Sequence, residues 1–238
     1  MANIPSNVEH ISVIPTSDQE SLSAWSEFSR SGKSNFRLAN DLGVGVYEAM
    51  NVGIKSALGE YVCFWNAGDE LLGLNDSLQQ TLHVLRKEKP NWLLVDGSFD
   101  WRESYPPSLN ELRNFILHKR SGFISHQTTI VSKNILQRIG SFDSKFRIAA
   151  DTAVITQLTQ ITLPDISHIR LVKVEKPNFA ARNNRRGRLE ALIIAIKYLR
   201  GKSQMLAVLN IIWGEVHAIM RKILSARSKH KSSKLEPK

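Results

Sequence analysis

Cysteine is nearly absent from this chain of 238 residues, in which Cys63 stands alone. A single cysteine excludes an internal disulfide framework, and with it the small disulfide-rich secreted domains. It fits a reducing compartment. Because Cys63 falls inside a predicted strand, we expect it to be a small core residue.

Long apolar runs are also missing. No window of the sequence reaches 18 uninterrupted apolar residues, which argues against a membrane-spanning helix. Residues 1–15 have no basic segment followed by an apolar block, so no secretory signal peptide is expected. The 42% hydrophobic and 23% charged residues are typical of a globular α/β protein. The length suggests one domain, or one domain with an appendage.

Acidic residues are scarce at one end of the chain. Residues 178–238 hold 14 Lys and Arg against three Glu, a net charge of +11. The other 177 residues hold 18 Lys and Arg against 19 Asp and Glu, a net charge of −1. A neutral body with a basic end favours contact with an anionic membrane surface or a nucleic acid. We recognise no nucleic-acid reader motif, so nucleic-acid binding rests on charge alone and is not expected.

A helix, a tight turn and a buried strand are predicted in the middle of the chain. Apolar residues recur at helical spacing from Val46 to Leu58. Gly59 follows, where a left-handed helix cap is common. The segment from Tyr61 to Trp65 is short, apolar and aromatic, as expected for a strand covered on both faces.

Two carboxylates are predicted to follow strands. Asp69 comes just after the strand that ends at Trp65, and Asp96 just after a second predicted strand, Trp92 to Val95. Ligands of open α/β sheets bind outside the carboxyl ends of the strands. A carboxylate there can hold a divalent cation that binds a diphosphate. The alternatives are a surface turn for Asp69 and a polar turn for Asp96.

A second cluster of polar residues lies between Gly122 and Leu158. It contains His126 and Asp151, and a helix is predicted to begin at Asp151. From the residues alone, Asp151 and His126 could each be functional or purely structural. Asp151 fits a helix N-cap, and His126 fits a structural histidine with satisfied hydrogen bonds.

Both stretches resemble the sugar-nucleotide-dependent glycosyltransferases of family 2, in particular those of O-antigen and exopolysaccharide synthesis. The first reads G-V-Y-E-A-M-N-x-G-I and ends in N-A-G-D at Asp69. The second reads H-Q from His126, then G-S-F-D, and ends in I-A-A-D at Asp151. The resemblance implies an α/β chain of the GT-A fold, with a Rossmann-like mixed sheet flanked by helices.

The resemblance also implies a reaction, which is transfer of a sugar from a nucleotide diphosphate sugar to a saccharide acceptor that is expected to be lipid-linked. Family members of this type invert the anomeric configuration. Asp151 maps to their proposed catalytic base, and His126 to the acceptor side. Asp96 is expected on the acceptor side as well, from its position at the end of a strand. Four positions map to the donor side: Tyr47, Asn51, Asn66 and Asp69. Among these, Asp69 is the implied ligand of Mg²⁺ or Mn²⁺.

The sequence departs from the family pattern in two places. Residues 11–18 align with the family's second strand, so we expect the chain to lack the first strand and helix, which help to form the nucleotide-base pocket. The family's aspartate-rich metal motif is reduced to one carboxylate, Asp69. These departures motivate an alternative, a catalytically degenerate glycosyltransferase-like protein that binds a partner or a sugar without turnover.

The chain is predicted to divide into a GT-A domain, 1–177, and a C-terminal basic extension, 178–238. Two helices are predicted, from Arg188 to Arg200 and from Gln204 to Ser225, followed by a disordered basic tail. The second helix has a broad apolar face, so it is expected either to lie in an anionic membrane interface or to pack on the body as ordinary core. The first alternative places the enzyme in the cytoplasm, at the inner face of the bacterial cytoplasmic membrane.

Overall fold

The structure is a computed structural model that describes residues 4–30, 35–73, 76–99, 124–174 and 184–232. Strands and helices alternate along these ranges. The strands are β1 (His10–Pro15), β2 (Phe36–Asp41), β3 (Tyr61–Val62), β4 (Glu70–Leu71), β5 (Trp92–Phe99), β6 (Thr129–Ser132) and β7 (Asp165–Val174). The helices are α1 (Gln19–Ser29), α2 (Val46–Ser56), α3 (Asp76–Glu88), α4 (Lys133–Arg138), α5 (Ala150–Ile161), α6 (Asn184–Tyr198) and α7 (Gly201–Ser232). A short 3-10 helix covers His126–Thr128.

Five strands form a mixed sheet in the order β3-β6-β5-β7-β4. The pair β5 and β7 is parallel, and the other three pairs are antiparallel. Central strand β5 begins with four completely buried residues, Trp92 to Val95. Such a continuous apolar run is typical of a strand that is covered on both faces.

The two remaining strands, β1 and β2, form a separate parallel pair. Helix α2 packs against both of them. Helix α1 connects the two strands, and the Asp18 side chain caps it by accepting a hydrogen bond from the backbone N–H of Ser21 at 3.0 Å. A carboxylate at the N-cap stabilises the helix start, since it satisfies a backbone donor that has no partner within the helix.

One apolar core joins the middle of the chain to its later part. Tyr47, Met50 and Ile54 of α2 belong to the same buried cluster as Phe142 and as Ile194 of α6. Helix α6 also packs against α5. The first described helix of the basic extension predicted from residue 178, α6, therefore packs on the body.

The short strand β3 differs from its prediction. It ends at Val62, because only Tyr61 and Val62 pair with β6. The following residues leave the ladder, and the Trp65 indole N–H donates instead to the backbone carbonyl of Gln127 at 3.1 Å. Cys63 is exposed, so its prediction as a core residue is wrong.

Helix and strand ends also differ from the predictions. Helix α2 ends at Ser56, and its C-cap is Ala57 in an extended conformation, so the predicted left-handed cap at Gly59 is wrong. Strand β5 continues to Phe99, which places Asp96 within the strand and not after it. Helix α7 continues to Ser232, past its predicted end at Ser225.

None of the helices in the described ranges is both long enough and apolar enough to cross a membrane.

Candidate active site

The carboxylate of Asp151 lies in the first turn of α5. The N-cap of this helix is Ala149, which makes no side-chain capping bond. The interpretation of Asp151 as the N-cap is therefore wrong. A negative charge in the first turn is still favoured by the helix dipole, so Asp151 can be held there as a carboxylate.

Three residues donate hydrogen bonds to the Asp151 side chain. Oδ1 accepts from the backbone N–H of Thr152 at 2.7 Å and lies 3.1 Å from the Tyr47 hydroxyl. Oδ2 lies 3.3 Å from Nδ1 of His126. The side chain keeps 24% of its surface exposed. Asp151 is thus fixed in orientation while it stays accessible from solvent.

Tyr47 supports this carboxylate from α2. Its ring is buried and stacks on Phe142, with the two ring centroids 5.6 Å apart. Its hydroxyl lies 2.9 Å from the carbonyl oxygen of Ile148 as well as near Asp151. Burial, followed by the negative charge of Asp151, raises the pKa of Tyr47 well above its ordinary value. Tyr47 therefore stays neutral and acts as a hydrogen-bond donor.

His126 connects Asp151 to the loop that follows β3. Its Nε2 atom lies 3.5 Å from the side-chain amide nitrogen of Asn66, which can only donate. If Nε2 accepts from this amide, Nδ1–H is the donor to Asp151. The structure thus brings His126 and Asp151 together, although they were assigned to different roles.

Asp69 lies at the other end of the same loop, in a turn with Asn66. The backbone N–H of Asn66 donates to Oδ2 of Asp69 at 2.8 Å, and the N–H of Asp69 donates to the carbonyl of Asn66 at 3.1 Å. In the described part of the chain, no three His, Cys, Asp or Glu residues are grouped as metal ligands. Asp69 could hold a Mg²⁺ or Mn²⁺ ion only in the way Mg²⁺ often binds, with substrate phosphates completing the coordination.

A small pocket opens beside His126 and Asp151. Its wall is mainly apolar and includes Phe64, Val131 and Phe142. Its volume of about 10 Å³ has room for about one water molecule, so it is a small indentation and not a complete sugar site. The pocket offers an apolar surface next to the carboxylate.

Glu190 of α6, which the sequence did not point to, holds the loop that enters α5. Its carboxylate is buried and accepts hydrogen bonds from the backbone N–H groups of three consecutive residues, Arg147, Ile148 and Ala149, at 2.8 to 3.1 Å. Arg186 lies 2.9 Å from the same carboxylate. Burial raises the pKa of Glu190, but these hydrogen bonds outweigh burial and leave the pKa below its ordinary value. Glu190 thus fixes the start of the helix that carries Asp151.

Asn51 makes a structural contact rather than a contact with Asp151. Its side-chain amide donates to the Phe142 carbonyl at 2.8 Å, and its oxygen accepts from the Phe142 N–H at 3.0 Å. Both ends of the amide are therefore used to tie α2 to the loop before α5. The predicted donor-side role of Asn51 finds no support in this arrangement.

We expect Asn51→Ala to lower the free energy of unfolding by about 2 to 3 kcal/mol, because both backbone groups of Phe142 lose their partner. Chemical denaturation of the variant and the parent measures this difference. Asn40→Ala is the matched control, since Asn40 is exposed. This substitution should lower the free energy of unfolding by under about 1 kcal/mol. Equal midpoints for the Asn51 and Asn40 variants would contradict the structural role.

Asp96 lies apart from this network. It is on β5, and its carboxylate is 3.9 Å from Nδ1 of His168 on β7. Burial raises the pKa of Asp96, and the nearby charges of His168 and Arg170 oppose that shift. Among the described residues, those that hydrogen-bond to Asp151 do not include Asp96. Its predicted place on the acceptor side stays a prediction.

Comparison with protein-family models and with curated proteins gives no match for this sequence. Solved structures do match. The crystal structure of S. aureus TarS 1-349 in complex with UDP has a TM-score of 0.61 and 15% identity, covering 89% of this chain and 63% of that one. The complex of TarS 1-349 with UDP-GlcNAc has a TM-score of 0.60 and 15% identity, covering 88% of this chain and 64% of that one.

This chain therefore spans just under two thirds of the length of these two TarS chains. At 15% identity the likeness establishes the fold alone. A mixed sheet flanked by helices, matching chains of the GT-A type, confirms the predicted α/β fold class.

Proposed function

We propose that this protein transfers a sugar from a nucleotide diphosphate sugar to a saccharide acceptor. The observation that carries the proposal is the Asp151 carboxylate, oriented by Tyr47 and His126 beside a small pocket in a GT-A fold. The similar TarS chains were crystallised with UDP and UDP-GlcNAc, which supports a donor of this class. Membership of family 2 and a place in O-antigen or exopolysaccharide synthesis belong to this proposal through the sequence resemblance.

Asp151 acts as the general base in this mechanism. Its Oδ1 is held by Thr152 and Tyr47, whereas Oδ2 faces His126 at the longer distance of 3.3 Å. A carboxylate oxygen has two lone-pair directions, so Oδ2 can accept one further proton. His126 cannot take that proton at Nδ1 in the tautomer in which Nε2 accepts from Asn66, because Nδ1 already carries a hydrogen.

The acceptor hydroxyl loses its proton to Oδ2 of Asp151 as its oxygen attacks the anomeric carbon. The bond between that carbon and the diphosphate oxygen breaks, and the electron pair leaves with the nucleoside diphosphate. One displacement by an oxygen on the opposite face inverts the anomeric configuration. A base on one side of the sugar and a leaving group on the other fit this geometry.

The loop from Asn66 to Asp69 is proposed to face the donor. Asp69 would hold a divalent cation, whose charge offsets that of the diphosphate. Asn66 both contacts His126 and donates its backbone N–H to Asp69. The donor loop and the base are thus connected through a short series of polar contacts.

A lipid-linked acceptor completes the proposal. Its support is the resemblance of the two sequence clusters to enzymes of O-antigen and exopolysaccharide synthesis, which implies an acceptor of this kind. Incubating the protein with a panel of UDP- and GDP-sugars and a bacterial lipid extract, and measuring the released nucleoside diphosphate, tests the reaction. Release that depends on the lipid extract is the expected result, and no release from any donor would contradict transfer.

A binding protein without turnover is the second candidate, because Asp69 offers only one carboxylate to a metal. Such a protein would bind nucleotide sugars in the same experiment without releasing the diphosphate. Donor binding measured alongside the release assay therefore separates the two functions.

We expect Asp69→Ala to weaken UDP binding in Mn²⁺ by about tenfold or more, because the cation loses its protein ligand. Calorimetric titration with and without Mn²⁺ measures the effect. Glu70→Ala is the matched control, since Glu70 is an exposed neighbouring carboxylate that pairs with Lys173 on β7. Equal loss of affinity in both variants would indicate a general charge effect and would contradict a metal role for Asp69.

A further inference from the structure

Helix α7 carries an apolar stripe that nothing in the described chain covers. Its members are large hydrophobic residues that are each 38% to 64% exposed: Met205, Leu206, Leu209, Ile212, Trp213, Val216 and Met220. At about 100° per residue, these positions fall within about 120° of the helix circumference. We call this set the bare stripe.

The bare stripe is not the face by which α7 packs on the body. That contact uses Ala207, Val208 and Ile211, which pack with Ala195 of α6 and with Leu199, which directly follows α6. On a helical wheel, these α7 positions lie roughly opposite the centre of the bare stripe. The helix therefore has two apolar faces, of which only one packs against other described residues.

Trp213 is the most exposed member of the bare stripe, at 64%. Every member of the bare stripe from Ile212 to Met220 is exposed. Helix α7 continues beyond them to Ser232. Contiguous exposed apolar surface on this scale marks an interaction site. Burial on a partner is needed to remove it from water.

Charge decides between the two partners that an apolar helix face can take. Within α7 there are six Lys and Arg and one Glu, a net charge of +5. Two copies of this helix would offer each other no compensating charge, because each carries the same net positive charge. An anionic lipid surface would instead attract them, by about 1 kcal/mol for each basic residue near the headgroups.

The basic residues are placed for such an attraction. Five of the six follow the bare stripe along the chain: Arg221, Lys222, Arg227, Lys229 and Lys231. A helix with an apolar stripe, an exposed tryptophan and flanking cations is the pattern that lies in the plane of a membrane interface. Tryptophan is enriched there because its ring is apolar and its N–H can meet the headgroups.

We propose that the bare stripe of α7 docks on an anionic lipid surface, with the stripe against the acyl boundary and the basic residues among the headgroups. Docking here does not depend on sugar transfer, so the two proposals can fail separately. In a cell that makes lipid-linked saccharides, this surface would be the inner face of the cytoplasmic membrane. That position would hold the pocket beside Asp151 near its acceptor.

Flotation of the full-length protein with vesicles tests the proposal. We expect binding to vesicles of phosphatidylglycerol and phosphatidylethanolamine, and at least about tenfold weaker binding to phosphatidylcholine alone. Raising the salt from about 0.1 M to about 0.5 M should weaken binding severalfold, because salt screens the attraction between basic residues and anionic headgroups. Equal binding to anionic vesicles and to phosphatidylcholine vesicles would overturn the proposal that the surface is anionic.

The variant Leu209→Gln/Trp213→Gln tests the stripe itself. Losing two large apolar contacts should weaken vesicle binding by about tenfold or more. Leu58→Gln is the matched control, since Leu58 is 79% exposed outside α7 and should leave binding unchanged. Circular dichroism of all variants checks that they fold.

Sedimentation velocity on the same samples tests the alternative, in which the bare stripe packs against a second copy of the chain. A monomer that binds anionic vesicles through the stripe supports docking on lipid. Self-association that the Leu209/Trp213 variant abolishes, in a protein that does not bind vesicles, would assign the stripe to a second copy of the chain and overturn the proposal. Equal vesicle binding by the variant and the parent would overturn it as well.

Discussion

Asp151→Asn is expected to lower the rate of sugar transfer by about 10² to 10⁴, the usual contribution of a general base. The asparagine keeps the shape of the side chain and an acceptor oxygen for Thr152 and Tyr47. It cannot accept the proton of the acceptor hydroxyl. Donor affinity should stay within about twofold, so the loss should appear in turnover and not in nucleotide binding.

The matched control for this variant is Asp143→Asn, which makes the same chemical change nearby. Asp143 lies in the loop before α5, where it pairs with Lys197 at 2.9 Å and does not contact Asp151. The Asp143→Asn variant should lose some stability and little transfer activity. If Asp151→Asn transferred sugar as fast as the parent, Asp151 would not be the base.

Glu190→Ala is expected to lower the free energy of unfolding by about 3 kcal/mol or more. Three backbone N–H groups and Arg186 lose a buried charged acceptor, and hydrogen bonds to charged groups are worth about 1.5 to 3 kcal/mol each. The loop before α5 should also loosen, which would displace Asp151. Chemical denaturation measures the stability, with Glu27→Ala on the exposed side of α1 as the control.

The contribution of Glu190 should depend on pH. Its pKa is lowered in the folded protein from the ordinary value of 4.5. The stabilisation is therefore fully present above about pH 4.5 and is lost as the pH falls through the lower folded pKa. The stability difference between parent and Glu190→Ala should shrink in acid and be constant at neutral pH. A difference that grew on acidification would contradict the assigned role.

Much of the fold could be predicted because it follows from local pattern. Helix α2 begins at Val46 as predicted, and β5 begins at Trp92, since helical spacing and a fully apolar run are local signals. Strand β3 begins at Tyr61 as predicted, but its end could not be predicted, because its length depends on how far β6 runs alongside it. The segment Phe64 to Trp65 has strand-like composition, but it packs as a loop.

The site could be predicted only in part. Asp151, His126 and Asn66 were selected through the family resemblance, and the structure brings them together. The contact between Tyr47 and Asp151 spans 104 residues of sequence, so no local spacing could indicate it. The capping role of Glu190 was missed for the same reason. Its one local signal is an acidic residue inside the otherwise apolar segment L-E-A-L-I-I-A.

Calorimetric titration of the parent protein with UDP and with GDP, in the presence and absence of Mn²⁺, tests whether this chain binds a nucleotide sugar. We expect at least one nucleotide to bind, Mn²⁺ to strengthen that binding, and Asp69→Ala to lose the strengthening. We also expect Asp151→Asn to bind like the parent. A folded protein that binds neither nucleotide under any of these conditions would contradict a nucleotide-sugar transferase.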